Sequence, residues 1–380
     1  MKQIIKNGRY YDVNKNQFIE ADLAIEDGKF VAIGKNLQGD QIIDATSYNI
    51  YPGMVECHGH TGLDGYAIGF EGQDYNESND PITPHLRAID GINPFDEGLS
   101  KAAKAGITTI ATGPGSSNVV GGTFCAIKTF GSRVDRMVVK ENVAMKCAFG
   151  ENPKKCFKDK GNRTRMTTAA NLRNLLFQTI EYSNKKDAAN GDVSKYPSFN
   201  MKLEAMIPVI KKEMPLKAHV HQANDIFTAI RIAKEFDLKM TLEHVTEGHL
   251  VVDELKNEPY PMVIGPSFGQ PTKYELQHKT FETPGILANA GCQISITTDS
   301  PVVPQWYLPL CAKLAVNSGM KYEDAIKAIT INPAKHLGLE DQIGSIEVGK
   351  DADFIICTSD LLDVDNHIEA VYIRGEIVHD

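Results

Sequence analysis

Five histidines and an aspartate stand where strand-like runs of this chain stop. His58 and His60 lie two residues apart in Val55-Glu56-Cys57-His58-Gly59-His60, just after the turn-like Tyr51-Pro52-Gly53. Side chains two apart on a strand share a face, so both imidazoles point the same way. His219 ends Leu216-Lys217-Ala218-His219, and His221 follows two residues on. His244 ends the run from Leu238, and Asp299 ends the run from Cys292, just before Ser300-Pro301. A lone His-x-His pair is equally well read as a polar loop. Its recurrence as His or Asp at four separate strand ends is not, because scattered polar residues would not favour metal-ligand types. Imidazoles with a carboxylate suit a divalent ion: zinc first, iron(II) or manganese as alternatives, and not calcium.

The elements that would hold these groups alternate. PFDEGLSKAAKAG has a helical period and closes on Gly106, and ITTIATG follows as a β-branched strand. LKAHVH reads as a strand, then DIFTAIRIAKEFD as a helix with Ile226, Ala229, Ile230 and Ala233 on one face. LKMTLEHV, PMVIG and CQISITTD are further short strands. Strands alternating with helices imply a parallel sheet, and about eight such units make a (β/α)8 TIM-like barrel, whose active face is the C-terminal end of its strands. The stretch 153–197 is polar and takes no assignment. Both ends differ in character. Residues 1–52 alternate in strand fashion with a hairpin signal at Asp27-Gly28, and residues 345–380 do the same with Arg374-Gly375. The expected division is 1–52 with 345–380 as one small β domain, and 53–344 as the barrel.

The composition narrows the class. The chain has 380 residues, 42% hydrophobic, with a formal net charge of −9. That acidic balance without a basic run argues against nucleic acid or an anionic membrane as partner. Seven cysteines without a CxxC pair suit a reducing compartment. The N-terminus turns polar too soon for a signal peptide, and no run approaches the ~20 apolar residues of a membrane span. The expectation is a cytoplasmic protein acting on a small molecule, with a homo-oligomer left open.

These motifs together resemble the amidohydrolase superfamily, most closely imidazolonepropionase and related amidohydrolases. PGMVECHGHTGL is similar to its first-strand motif, KAAKAGITTIATGPGSSNVVGG to the helix, strand and glycine-rich turn that follow, and INPAKHLGLEDQIGSIEVGKDADFIICTSD to its C-terminal signature. The resemblance implies a (β/α)8 barrel beside a small composite β-sandwich built from both termini. It implies His58 and His60 as the first metal pair, His219 as the fifth-strand ligand, His244 as the sixth-strand histidine and Asp299 as the eighth-strand aspartate. Two departures follow. Glu56 stands where the family usually has Asp. Some members bridge two metals with a carboxylated Lys or a Glu on the third or fourth strand; here NVAMKCAFGENP offers Lys146 and Glu151. Glu151, at the strand's end, is the expected ligand of a two-ion site; without it one ion is expected. The implied reaction is hydrolysis of a C–N bond in an amide, cyclic amide or dipeptide. Asp299 would take the proton of an activated water and return it to the leaving nitrogen, and His244 would bind metal or polarise the carbonyl.

Other residues are candidates for the substrate. His221 faces inward and lines the pocket if the strand continues; a satisfied surface or core histidine is the equal alternative. Asn118 lies in the glycine-rich Pro114–Gly122, which also reads as a plain strand-to-helix turn. His85 and Arg87 lie in a long polar loop after the first strand, where specificity is usually carried. Gln222 stands three residues after His219, where deaminases of the superfamily commonly place Glu. An amide cannot shuttle protons, which weighs against a heterocycle deaminase. A non-catalytic scaffold is the third reading, opposed by the intact ligand set.

Overall fold

The computed structural model describes residues 1–379. Eight strands form one sheet in chain order: Met54–Gly59, Ile107–Thr112, Val120–Lys128, Val138–Ala148, Leu216–Val220, Met240–His244, Met262–Ile264 and Ile294–Ile296. They curl into a nearly closed barrel. The first pairs with the second in parallel, and so do successive strands from the fourth to the eighth. The third runs antiparallel to both neighbours, which corrects the all-parallel expectation. Its links are residues 113–119 and 129–137, and a parallel crossover needs a dozen or more residues. The glycine-rich turn therefore leads into a reversed strand and not a helix.

No ladder pairs the first and last strands among the described residues, and side chains close the gap instead. Thr297 Oγ1 donates to the His58 carbonyl (2.6 Å), and the Thr298 amide donates to Glu56 Oε1 (2.6 Å). The His60 amide donates to the Ser300 carbonyl (2.9 Å). Glu56, fully buried, thus ties the first strand to the segment carrying Asp299.

Helices cover the outside. Glu97–Lys104 starts at Asp96, whose carboxylate accepts from the Gly98 amide (2.8 Å). It stops before Gly106, whose φ of +86° and closeness to Ile355 leave no room for a side chain. Ala223–Glu235 buries Ile226, Ala229, Ile230 and Ala233, the face its period predicts. The unassigned polar stretch holds a long helix, Arg165–Ala188, capped by Thr164 and resting on Leu172, Leu175 and Leu176. No helix among the described residues is long and apolar enough to cross a membrane.

The two β-rich ends share their sheets. Phe354–Cys357 pairs antiparallel with Asn49–Pro52, so C-terminal and N-terminal strands lie in one six-stranded sheet. A four-stranded sheet of Gln3–Lys6, Asp22–Glu26, Lys29–Gly34 and Gln41–Asp44 faces it. Ile5, Leu23, Phe30, Phe354 and Tyr372 fill the space between, with the last two rings stacked at 4.4 Å. Lys128, from the third barrel strand, is buried against Asp351 (3.0 Å) and Asp353 and joins the sandwich to the barrel.

Candidate metal centre

At the C-terminal end of the barrel, five imidazoles converge, and each is oriented through its Nδ1. His58 Nδ1 donates to Glu243 Oε2 (2.6 Å), His60 Nδ1 to the Gly113 carbonyl (2.7 Å), and His244 Nδ1 to the Gly265 carbonyl (2.7 Å). His219 Nδ1 meets Ser116 Oγ (2.8 Å), and His221 Nδ1 meets Thr246 Oγ1 (2.7 Å). A carbonyl or carboxylate on Nδ1 fixes the tautomer that leaves Nε2 with a free lone pair. Burial keeps His58, His219 and His244 well below the usual imidazole pKa and brings His221 to about 4, so these rings are neutral.

The Nε2 atoms meet a carboxylate. Asp299 Oδ1 lies 3.2 Å from His60 Nε2 and 3.5 Å from His58 Nε2. Burial pushes the Asp299 carboxyl up, but His244 and His60 outweigh it and hold it below its ordinary value. His58, His244 and Asp299 form one group whose ligand atoms lie within 4.8 Å of one another; His219, His221 and His244 form a second. His219 Nε2, His244 Nε2 and Asp299 Oδ1 are buried without a hydrogen-bond partner. Orphaned lone pairs are costly in a protein interior, and a divalent cation at each of these groups would satisfy them, so the donor sets fit the kind of ion the sequence implies. His244 (φ +74°) and Asp299 (φ +51°) both sit in the left-handed region, rare for non-glycine residues and frequent where a site holds them.

Below the cluster the barrel interior is charged. Lys217 Nζ lies 2.8 Å from Glu243 Oε2. Burial pushes the Glu243 carboxyl up, but Lys217 reverses this and holds it below its ordinary value, so Glu243 stays an acceptor for His58. Lys146 Nζ lies 3.2 Å from His58 Nε2, and burial lowers its pKa to about 8. Burial likewise raises Glu56 to about 7.

The cluster floors a cavity of about 560 Å³. Its walls include Tyr75, whose ring stacks on His60 at 5.0 Å, with Phe268 and Leu276. Lys155, Lys273 and Lys279 also line it.

The sequence profile of the Amidohydrolase family matches residues 50–378, the barrel with the sandwich strands that adjoin it. The chain belongs to the Amidohydrolase family. A solved amidohydrolase from Thermotoga maritima MSB8 is 37% identical, covers 99% of both chains and superposes with a TM-score of 0.95. Among curated relatives, amidohydrolase tasK of Hapsidospora irregularis is 26% identical over 93% of this chain. An adenine deaminase of Lactobacillus delbrueckii subsp. bulgaricus is 25% identical over 93%. The chain spans 39% and 55% of the length of these two relatives.

Of the residues expected in this amidohydrolase site, His58, His60, His219, His221, His244 and Asp299 come together. Glu151 does not, and here the expectation is corrected. It opens a short helix after the fourth strand, and its Oε2 accepts from the Glu275 amide (3.3 Å). Lys146 is fully buried and faces the barrel interior against His58. Four substrate candidates also stand elsewhere. Gln222 Oε1 accepts from Arg165 (2.6 Å) at the start of a helix. Asn118 Nδ2 donates to the Asp80 carbonyl (2.8 Å) and pins a loop. His85 and Arg87 line a separate surface cavity, where Arg87 pairs with Asp90 and Glu141. The long loop after the first strand reaches the site through Tyr75 and Asn76 instead. Sequence reasoning missed Glu275, which is buried on the loop after the seventh strand. No periodicity or motif marks it, because the fold alone brings that loop over the fifth and sixth strands.

Proposed function

We propose that this amidohydrolase hydrolyses a C–N bond in an amide, cyclic amide or dipeptide, in the imidazolonepropionase-like branch of its family, with zinc as its metal. The observation that carries the reading is the cluster of histidines beside Asp299, in two groups of ligand atoms that share His244, each ring pinned through Nδ1. A divalent ion held there lowers the pKa of water from about 15.7 to about 7 and polarises a carbonyl. His58, His60, His219 and His244 are the residues that would hold that ion. Asp299, ionised at neutral pH, takes the proton of the attacking water and delivers it to the leaving nitrogen. Lys146, if carboxylated, would be the residue to help hold a second ion in place of Glu151; its Nζ, 3.2 Å from His58 Nε2, supports this. Lys155, Lys273 and Lys279 favour a substrate with an anionic group, and Phe268 and Leu276 favour an apolar side chain beside it. All seven cysteines are free, which supports a reducing, cytoplasmic setting.

A deaminase is the second reading, favoured by the adenine deaminase relatives. Gln222 weighs against it, being an amide already held by Arg165. The test is a screen of zinc-loaded protein with N-acyl amino acids, dipeptides, cyclic amides and adenine. Hydrolysis of a carboxylated amide, lost with the metal in His58→Ala, is expected. Ammonia release from adenine alone would select the deaminase, and purified protein without stoichiometric metal would refute both.

A further inference from the structure

Two residues of the long loop after the first strand, His85 and Arg87, border a surface cavity of about 410 Å³ away from the metal centre. Its other walls are the third barrel strand and the helix Met201–Ile210. The loop is laid along Val120–Lys128 by two isolated parallel bridges, Ile82 with Val120 and Arg87 with Thr123. The Thr83 amide donates to the Val120 carbonyl (2.8 Å), and the Thr123 amide donates to the Leu86 carbonyl (2.9 Å). Gly122 (φ +128°) permits this approach, because a Cβ there would run into the Leu86 carbonyl. Between the bridges, a turn closed by the Leu86 amide on the Thr83 carbonyl (3.2 Å) brings Pro84 and His85 to the cavity.

This cavity holds unmet polar groups. Thr123 is 6% exposed, and its Oγ1 is buried with no hydrogen-bond partner among the described residues. His85 Nδ1 is buried in the same unpartnered state. Such atoms cost free energy that a ligand recovers. Both can accept a hydrogen bond, Nδ1 in the Nε2–H tautomer. Charge selects the donor. Arg87 is already paired with Asp90 (2.8 Å) and Glu141 (3.2 Å). Glu204 accepts from Tyr182 and Lys186 through Oε1 (2.6 Å each), which leaves Oε2 open among the described residues. Burial pushes the Glu204 carboxyl up, but those two bonds outweigh it and hold it below its ordinary value. Glu213 adds a second carboxylate to the lining. The open groups are therefore acceptors and anions, with apolar surface from Ala205, Pro208 and Met214 beside them.

We propose that this cavity is a ligand site separate from the metal centre, and that it takes a small organic ammonium ion with an apolar body. The ammonium N–H groups donate to Thr123 Oγ1, His85 Nδ1 and the Glu204 carboxylate, and the apolar body lies on Ala205, Pro208 and Met214. The volume falls within the ~300–1,000 Å³ of small-molecule sites. The site goes beyond the hydrolytic reading and does not depend on it. The catalytic cavity is no rival for such a ligand, since Lys155, Lys273 and Lys279 line it and repel a cation.

The experiment is a calorimetric titration of full-length protein at neutral pH with benzylammonium chloride. Benzyl alcohol and benzoate serve as the neutral and anionic comparisons. The wild type is expected to bind one equivalent of benzylammonium at least ~10-fold more tightly than either comparison, the margin of a charge-assisted hydrogen bond. Thr123→Val keeps the shape of the side chain and removes the orphaned hydroxyl. Glu204→Gln keeps an oxygen for Tyr182 and removes the charge. Each should weaken benzylammonium about 10-fold or more, with circular dichroism and metal content as in the wild type. Unchanged affinity in both variants would overturn the proposal by placing the cation elsewhere. So would a wild type that binds no benzylammonium, or one that binds benzyl alcohol or benzoate as tightly. If Glu204→Gln loses its fold with the Tyr182 contact, Thr123→Val decides, because Thr123 Oγ1 makes no hydrogen bond for the fold to lose.

Discussion

Replacing Asp299 by Asn separates chemistry from binding more cleanly than any other change at this site. Asp299 Oδ1 makes no hydrogen bond, so the fold loses none through that oxygen. Asn also tolerates the left-handed backbone that residue 299 adopts (φ +51°). Its side-chain oxygen can still approach His58 and His60, so much of the metal should stay. What disappears is the proton acceptor. The wild-type carboxyl sits below its ordinary pKa and is ionised throughout the neutral range, whereas an amide takes no proton there. Loss of a general acid–base group costs about 10²–10⁴-fold, or about 2.7–5.4 kcal/mol at about 1.36 kcal/mol per decade. Turnover of the substrate identified by screening, metal content and melting temperature should be measured on one preparation. The expected result is a fall of at least ~100-fold with retained metal and an unchanged melt. Turnover within about ten-fold of wild type, with metal retained, would remove Asp299 from proton transfer and leave it a turn residue before Ser300-Pro301.

Lys128→Met leaves Asp351 and Asp353 buried and deprived of their shared cation at the junction of sandwich and barrel. Breaking such a pair costs about 3–5 kcal/mol, so the denaturant midpoint should drop clearly; an unchanged midpoint refutes the role given to that contact. Glu56, raised by burial to about 7, stabilises the fold fully only below its unfolded value near 4.5 and loses that contribution as pH rises through 7. Metal-free wild type should therefore lose up to about 3 kcal/mol relative to Glu56→Gln between pH 5 and 8; parallel stability–pH curves contradict this. Ser116→Ala removes the group that meets His219 Nδ1 at 2.8 Å. Metal affinity should fall about 10–100-fold in a competition titration, and equal affinity would show that the contact does not orient the ring.

The residues of the centre were legible because metal ligation leaves a local mark: imidazoles and a carboxylate at strand ends, two residues apart where they share a face. His58, His60, His219, His221, His244 and Asp299 all carry that mark, and the hairpins at Asp27-Gly28 and Arg374-Gly375 carry their own. The helix Arg165–Ala188 was not legible, because its polar residues give little contrast between faces and its position depends on what it packs against. The reversed third strand was hidden for a similar reason: a glycine-rich turn permits either a helix or a returning strand, and only the short link to the fourth strand decides. Glu151 was misjudged and Glu275 unseen because distance along the chain says nothing about distance across a barrel. Closure of the sheet brings the loops after the fourth and seventh strands into contact, and the clasp between those two carboxylates and their amides selects which one faces the histidines. Sequence by itself determined which side chains can bind a cation. Tertiary structure decided which of them meet, since that depends on how the strands curl and on loops whose residues have no period to read.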